Sequence, residues 1–272
     1  MNQNKTQSLA QLLDLMWKDY STLNPAALKI HQLFVNSGEK VINDHVAYRT
    51  FNHPKLGIKS LSRQIEKHGY IAKGEYFFKE KRLYAQHFEH HDLSLPKIFI
   101  SELELEKMDS FVQQEVEKMV EQIPNSLIES ERILVCGRPW TMTHQVYSKL
   151  AATSEYASWV SAFGFRPNHF TVNVNALTQF KDLESINQFV KKNGFALNQA
   201  GGEIKGTPAD LLEQSSTMAE EVTVQFEDGS FKIPACYYEF ARRYEISKGI
   251  LYQGFIAKSA DKIFESTNRK NQ

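Results

Sequence analysis

Residues 43–51 read NDHVAYRTF, and as an extended strand they place His45, Ala47, Arg49 and Phe51 on one face. A histidine and an arginine two pleats apart cannot both be ordinary core residues, because arginine is almost never fully buried without a partner. The pair suggests a metal ligand beside an anion receptor. A second strand-like run, NHFTVNVN at 168–175, carries His169 near its start. Glu239 lies within CYYEFAR at 236–242, and a carboxylate among aromatic and apolar residues is costly to bury unless it is paired or metal-bound. His45, His169 and Glu239 would form a two-histidine, one-carboxylate set, which leaves coordination positions open and favours non-haem Fe(II) with oxygen. Two neutral imidazoles and one carboxylate leave a divalent ion with a net positive charge, suited to an anionic chelating substrate. Arg49 is placed to take a substrate carboxylate through two parallel hydrogen bonds. Pairing with Asp44 or another acid is the plainer alternative.

Other residues invite similar readings. One strand histidine is more often structural than a ligand; two at matching positions plus a buried glutamate reverse that. Glu102 could be a fourth ligand, as in glyoxalase-like octahedral sites, but a supporting or surface role suits it better. The run HFEHH at 87–91 looks metal-like yet borders Asp92 at a strand end, where a solvated loop is the simpler reading. GGEIKG at 201–206 lacks the lysine-serine/threonine pair of a phosphate loop and reads as a turn that lets backbone approach the cleft. Ser259 would cap a helix over 259–264, and that N-terminus could either bind a carboxylate or simply be capped.

The elements that must position these groups form an α+β chain. Leu9, Leu12, Leu13, Met16, Trp17 and Tyr20 mark a first amphipathic helix, and Asn24-Pro25 caps and starts a second that ends near Gly38. After the strand at 43–51 come a helix over 58–68 and extended runs at 70–79, 82–89 and 97–103. A helix over 105–122, an extended piece at 133–136 and a helix over 143–163 lead to the strand at 168–175. A helix over 183–192, an extended run from Phe195 and a helical insertion through Leu212 follow. Strands at 221–226, 231–234 and 236–244 complete the second half, with 251–258 extended after them. His45 stands 24 residues before Gly69 and His169 stands 25 before Gly194, so the chain reads as two βαβββ copies. Paired about a pseudo-dyad, the copies would turn both histidines into one cleft. The whole is a single domain over 1–272: a helical cap at 1–40, a first module at 41–104, connecting helices at 105–165, and a second module with the C-terminal segment at 166–267.

Composition excludes several classes. The chain has 272 residues, with 32 Lys and Arg against 32 Asp and Glu, so no global field favours nucleic acid or an anionic membrane. No apolar run reaches membrane-spanning length and no leader is evident. Cys136 and Cys236 are 100 residues apart, outside any zinc-finger spacing, and read as buried thiols in a reducing cytoplasm.

Residues 43–51, 201–219 (GGEIKGTPADLLEQSSTMA), 237–244 (YYEFARRY) and 254–267 (GFIAKSADKIFEST) resemble the 2-oxoadipate dioxygenase/decarboxylase family, a likeness running from Trp17 to Thr267. The resemblance implies a vicinal-oxygen-chelate-like mixed sheet or half-barrel around a metal cleft. It implies Fe(II)-dependent conversion of 2-oxoadipate and O2 to 2-hydroxyglutarate and CO2, in lysine degradation. It makes His45, His169 and Glu239 the iron ligands, Arg49 the holder of the substrate carboxylate, and Lys258 and Ser259 contacts for the substrate's far end. The implied partners are a 2-oxo acid and O2, with neither nucleic acid nor membrane; the sequence leaves oligomeric state open. Two alternatives remain: a Zn or Ni lyase, isomerase or hydrolase on the same scaffold, and a metal-free small-molecule binding protein.

Overall fold

In the computed structural model, which describes residues 8–268, two helices open the chain. Helix α1 (Leu9–Leu23) starts with a capping box: the Gln11 amide N–H donates to the Ser8 hydroxyl and the Ser8 N–H to the Gln11 side chain. Asn24 accepts from the Ala27 N–H and Pro25 fills the first position of α2 (Pro25–Asn36). Their apolar faces pack on the sheet's outer side, where the Tyr20 hydroxyl donates to the Tyr237 carbonyl at 2.6 Å.

The first module is β1 (Asn43–Phe51), α3 (Ile58–Glu66), β2 (Ile71–Phe78), β3 (Leu83–Glu89) and β4 (Lys97–Leu103). Helices α4 (Ser110–Glu121), α5 (Asn125–Ile128), α6 (His144–Thr153) and α7 (Glu155–Phe163) connect it to the second. That module contains β5 (Pro167–Asn173), α8 (Leu183–Lys192), β6 (Lys205–Thr207), β7 (Leu212–Ser216), the hairpin β8 (Glu221–Phe226) and β9 (Gly229–Pro234), and β10 (Tyr237–Arg243). A small ribbon of β11 (Glu245–Ser247) and β12 (Ile250–Leu251) precedes α9 (Ala257–Ile263).

Eight strands form one curled sheet in the order β2-β3-β4-β1-β5-β10-β7-β6. Reading outward from the centre, each half presents the same pairings: β1 lies parallel to β4 as β5 lies parallel to β10, and the outer pairs are antiparallel. The first strands, β1 and β5, pair antiparallel at the middle, which is the arrangement a pseudo-dyad between two copies requires.

Several expectations change. The outer strands of the second module are β6 and β7, in the stretch read as a turn and helical insertion; only Pro208–Asp210 is helical there, capped by Thr207. The alternating run over 221–234 forms its own hairpin outside the main sheet, because period-two alternation fixes a strand's faces but not its partner. Residues 133–135 lie in a helical turn, Glu131–Val135, with Cys136 at its C-cap, rather than in a strand. The run from Phe195 makes only an isolated bridge, Leu197 to Thr217. The helix expected over 143–163 is broken at Ser154, whose N–H closes α6 on the Leu150 carbonyl while its hydroxyl accepts from Ala157 to start α7. Ser259 lies inside α9, which begins two residues earlier with Ile256 at its N-cap. Cys236 is a buried free thiol, as read, whereas Cys136 is half-buried.

Candidate metal centre

Strand register brings the three donors together. His45 faces Thr171 across β1 and β5, and Thr171 faces Glu239 across β5 and β10, so one ladder row holds His45 and Glu239 on either side of a threonine. The next row is Ala47, His169 and Tyr237. All three donors point to the concave face and are buried, with ligand atoms within 4.8 Å of one another. His169 Nε2 is 3.2 Å from Glu239 Oε2, and His45 Nε2 is 3.6 Å from Oε1.

Each donor is held from behind. Asp44 Oδ1 lies 2.8 Å from His45 Nδ1, which leaves Nε2 facing inward, where the Thr171 hydroxyl lies 3.0 Å from it. Arg243 clamps that same carboxylate from the other side, through Nε at 2.6 Å and Nη2 at 2.8 Å, and donates from Nη1 to the Tyr252 and Gly254 carbonyls. Asn168 Oδ1 lies 3.1 Å from His169 Nδ1, and Gln214 donates to Glu239 Oε1 at 2.5 Å. Partners of this kind fix the ring orientation of metal-binding histidines and raise their basicity. Both histidines follow a residue with an acceptor side chain, Asp44 and Asn168, a pairing visible in the sequence but easily passed over.

The electrostatics fit a cation. Burial pushes the His45 pKa down, against the opposing pull of Asp44. Burial, then the nearby His45 and Arg49, holds His169 well below the usual imidazole range. Both rings are therefore neutral at pH 7, as ligation requires. Burial drives Glu239 up to about 8 despite the Gln214 hydrogen bond, and its Oε2 has no hydrogen-bond partner. A desolvated, under-satisfied carboxylate facing two neutral imidazoles is a donor set completed by a divalent metal.

The pseudo-dyad also identifies the missing fourth corner. Glu239 lies two residues beyond the partner of His169, and the same position beyond the partner of His45 is Phe99. Phe99 lines the cleft, so the fourth ligand position of the symmetric scaffold is apolar. Glu102 is elsewhere: its Oε2 accepts from the Ile58 N–H at 2.7 Å and caps α3.

The remaining sequence candidates are distributed as follows. Arg49 is buried one row beyond Tyr237 on the same face, with Nη1 on Glu155 at 3.0 Å and Nη2 on Thr267 at 3.1 Å; its guanidinium is 5.5 Å from the Phe264 ring. Its acid partner is Glu155, since Asp44 belongs to Arg243. Ser259 is buried on α9 facing Gly206, and Lys258 is exposed; neither lines the cleft. His87 is buried rather than solvated, between the Tyr76 hydroxyl at 2.8 Å and Glu89 at 2.9 Å, while His91 is exposed at the strand end. The cleft is narrow, with about 20 Å3 of open space, and its apolar wall is Phe99, Phe255, the α9 side chains Ala260 and Ile263, and Phe264 just beyond that helix. Sequence reasoning missed Gln214 and Tyr237; Tyr237 shares the strand face of Glu239 at i−2, which was the available signal.

Paired βαβββ modules curling round a buried His-His-Glu set make a vicinal-oxygen-chelate-like fold. The family model for 2-oxoadipate dioxygenase/decarboxylase matches residues 1–249, and the chain belongs to that enzyme family. The chloroplastic 2-oxoadipate dioxygenase/decarboxylase of Arabidopsis thaliana is 33% identical over 91% of this chain and 74% of its own length. A crystal structure from Shewanella frigidimarina is 46% identical with a TM-score of 0.87, covering 91% of this chain and 97% of that one. The hydroxyglutarate synthase of Oryza sativa in complex with 2-oxoadipate is 32% identical with a TM-score of 0.90, covering 96% and 92%. No helix among the described residues is long and apolar enough to cross a membrane.

Proposed function

We propose that this chain is an Fe(II)-dependent dioxygenase/decarboxylase acting on a 2-oxo dicarboxylic acid such as 2-oxoadipate, to give CO2 and a 2-hydroxy acid such as 2-hydroxyglutarate. The observation that carries the reading is the three-donor centre itself, buried, short of one ligand, and walled by Phe99 where a fourth would stand. His45, His169 and Glu239 would hold the iron on one side and leave the cavity side open to substrate. Iron, when bound there, supplies oxygen activation and polarises the 2-oxo group. The reaction balances without a further reductant. The C1–C2 bond breaks to release CO2, one oxygen atom enters the carboxylate formed from the keto carbon, and the other becomes the hydroxyl on the neighbouring carbon.

The protein's own contribution is placement and exclusion of water. Asp44 and Asn168 keep the imidazoles aimed, and Gln214 holds Glu239 in position. Arg49, one strand row beyond Tyr237 and outside the cleft lining, supplies a buried positive charge that it shares with Glu155. The α9 segment that carries Lys258 and Ser259 roofs the cavity, and its apolar side chains keep bulk water from the reacting centre. We place the reaction in lysine breakdown and the chain in the cytoplasm; the two free thiols support a reducing compartment.

The test is an oxygen-electrode screen of 2-oxo acids of graded length with protein loaded with Fe(II) under argon. The expected result is uptake of one O2 per CO2 released, greatest with a dicarboxylic acid. Tightly held zinc with no oxygen uptake on any 2-oxo acid would overturn the proposal in favour of a redox-inactive metal enzyme.

A further inference from the structure

We infer that the Tyr237 hydroxyl is a specificity-determining contact that donates a hydrogen bond to the substrate carboxylate remote from the metal. The inference rests on the functional reading above and adds a residue to it.

Three observations converge. Tyr237 is fully buried, lines the cleft, and its hydroxyl has no hydrogen-bond partner. An unpaired buried hydroxyl costs free energy that a ligand atom would recover, so its retention in a cavity marks a binding contact. Among the described side chains lining the cleft, two other fully buried atoms lack hydrogen-bond partners, Glu239 Oε2 and Gln214 Oε1. Both are acceptors. The group left to donate to an anionic substrate is the Tyr237 hydroxyl.

Register fixes which end of the substrate it meets. Along the strands the concave face presents His45 and Glu239 in one row, His169 and Tyr237 in the next, and Arg49 in the row beyond. Successive rows are roughly 6.5 Å apart. A 2-oxo acid chelated at the metal and extended towards Arg49 meets Tyr237 first, and a chain of a few carbons covers about one row. The Tyr237 ring stacks on His169, with centroids 4.6 Å apart and planes at 25°, which holds it in the middle row. Arg49 stands behind, outside the cleft lining, with Nη1 on Glu155, Nη2 on Thr267 and Nε without a partner. Tyr237 therefore supplies a hydrogen bond at the middle row.

Tyr237→Phe keeps the ring and its stacking on His169 and removes only the oxygen. Binding of 2-oxoadipate and of 2-oxohexanoate, which has the same length without the remote carboxylate, is measured by calorimetry on Fe(II)-loaded protein under argon. The expected result is affinity for 2-oxoadipate reduced about 10- to 100-fold, that for 2-oxohexanoate unchanged, and iron content equal to wild type. Equal loss for both ligands would make Tyr237 structural, and no loss for either would leave its hydroxyl without the contact; each result overturns the inference. Wild-type protein that binds neither ligand would sink the functional reading itself, and this inference with it.

Discussion

Replacing Asp44 by asparagine tests whether the buried charge behind the metal centre acts on the metal or only on the fold. Asp44 sits between His45 and Arg243, accepting from Arg243 Nε at 2.6 Å and Nη2 at 2.8 Å, with Oδ1 also 2.8 Å from His45 Nδ1. Asparagine preserves the shape and one acceptor oxygen, so His45 keeps its orientation but loses the negative charge that makes it a stronger base. Loss of such a partner lowers metal affinity by about 10- to 100-fold. The same change strands the buried Arg243 guanidinium, which costs about 3–5 kcal/mol. With an unfolding entropy of about 2 cal/mol/K per residue, a chain of this size would melt about 5–9 °C lower. Burial alone would raise the Asp44 carboxyl, but the Arg243 charge and hydrogen bonds outweigh it and hold the pKa well below the usual carboxylate range. The stabilisation is therefore complete above the unfolded value of about 3.9 and fades as pH falls through the depressed folded value. The melting gap between wild type and variant should be full at pH 7 and close in acid. Affinity is measured by competition against a coloured chelator, and stability by scanning calorimetry of metal-free protein. A variant that melts lower but binds metal within about twofold of wild type would refute the claim that Asp44 tunes the centre.

Two further outcomes follow from the same structure. Phe99→Glu places a carboxylate at the pseudo-symmetric fourth corner, and should raise affinity for Zn(II) while abolishing oxygen uptake; weaker zinc binding would show that the dyad does not predict ligand geometry. Glu39 accepts from the Thr178 and Gln179 N–H groups and the Thr178 hydroxyl, and although burial opposes ionisation these bonds lower its pKa, so its contribution is present above about pH 4.3 and lost below. Glu39→Gln should destabilise by about 1–3 kcal/mol at pH 7, read by urea denaturation, with the difference vanishing in acid.

How much was legible in the sequence depended on how far apart the interacting residues lie. The capped helices α1 and α2, the strand β1 and the repeat containing His45 and His169 follow from periodicity and capping chemistry within a few residues. Glu239 stood out because a lone carboxylate in an aromatic strand has few inexpensive explanations. Strand pairing was another matter. The run over 221–234 has as good a strand pattern as β6 and β7, yet stays outside the main sheet, because membership depends on which edge is free when the modules close. The break at Ser154 depends on one side chain's choice between continuing a helix and capping the next.

The site shows the same division. By itself, the sequence determined the donor types, their shared strand faces and the presence of a cation beside them, since alternation along a strand is a local property. Only the tertiary structure decided that Arg49 pairs with Glu155, 106 residues away, and that Arg243 reaches back 199 residues to Asp44. It alone put Phe99 at the fourth corner and left the Tyr237 hydroxyl unpaired. Partnership across a curled sheet is set by register and closure, which no local pattern of residues encodes.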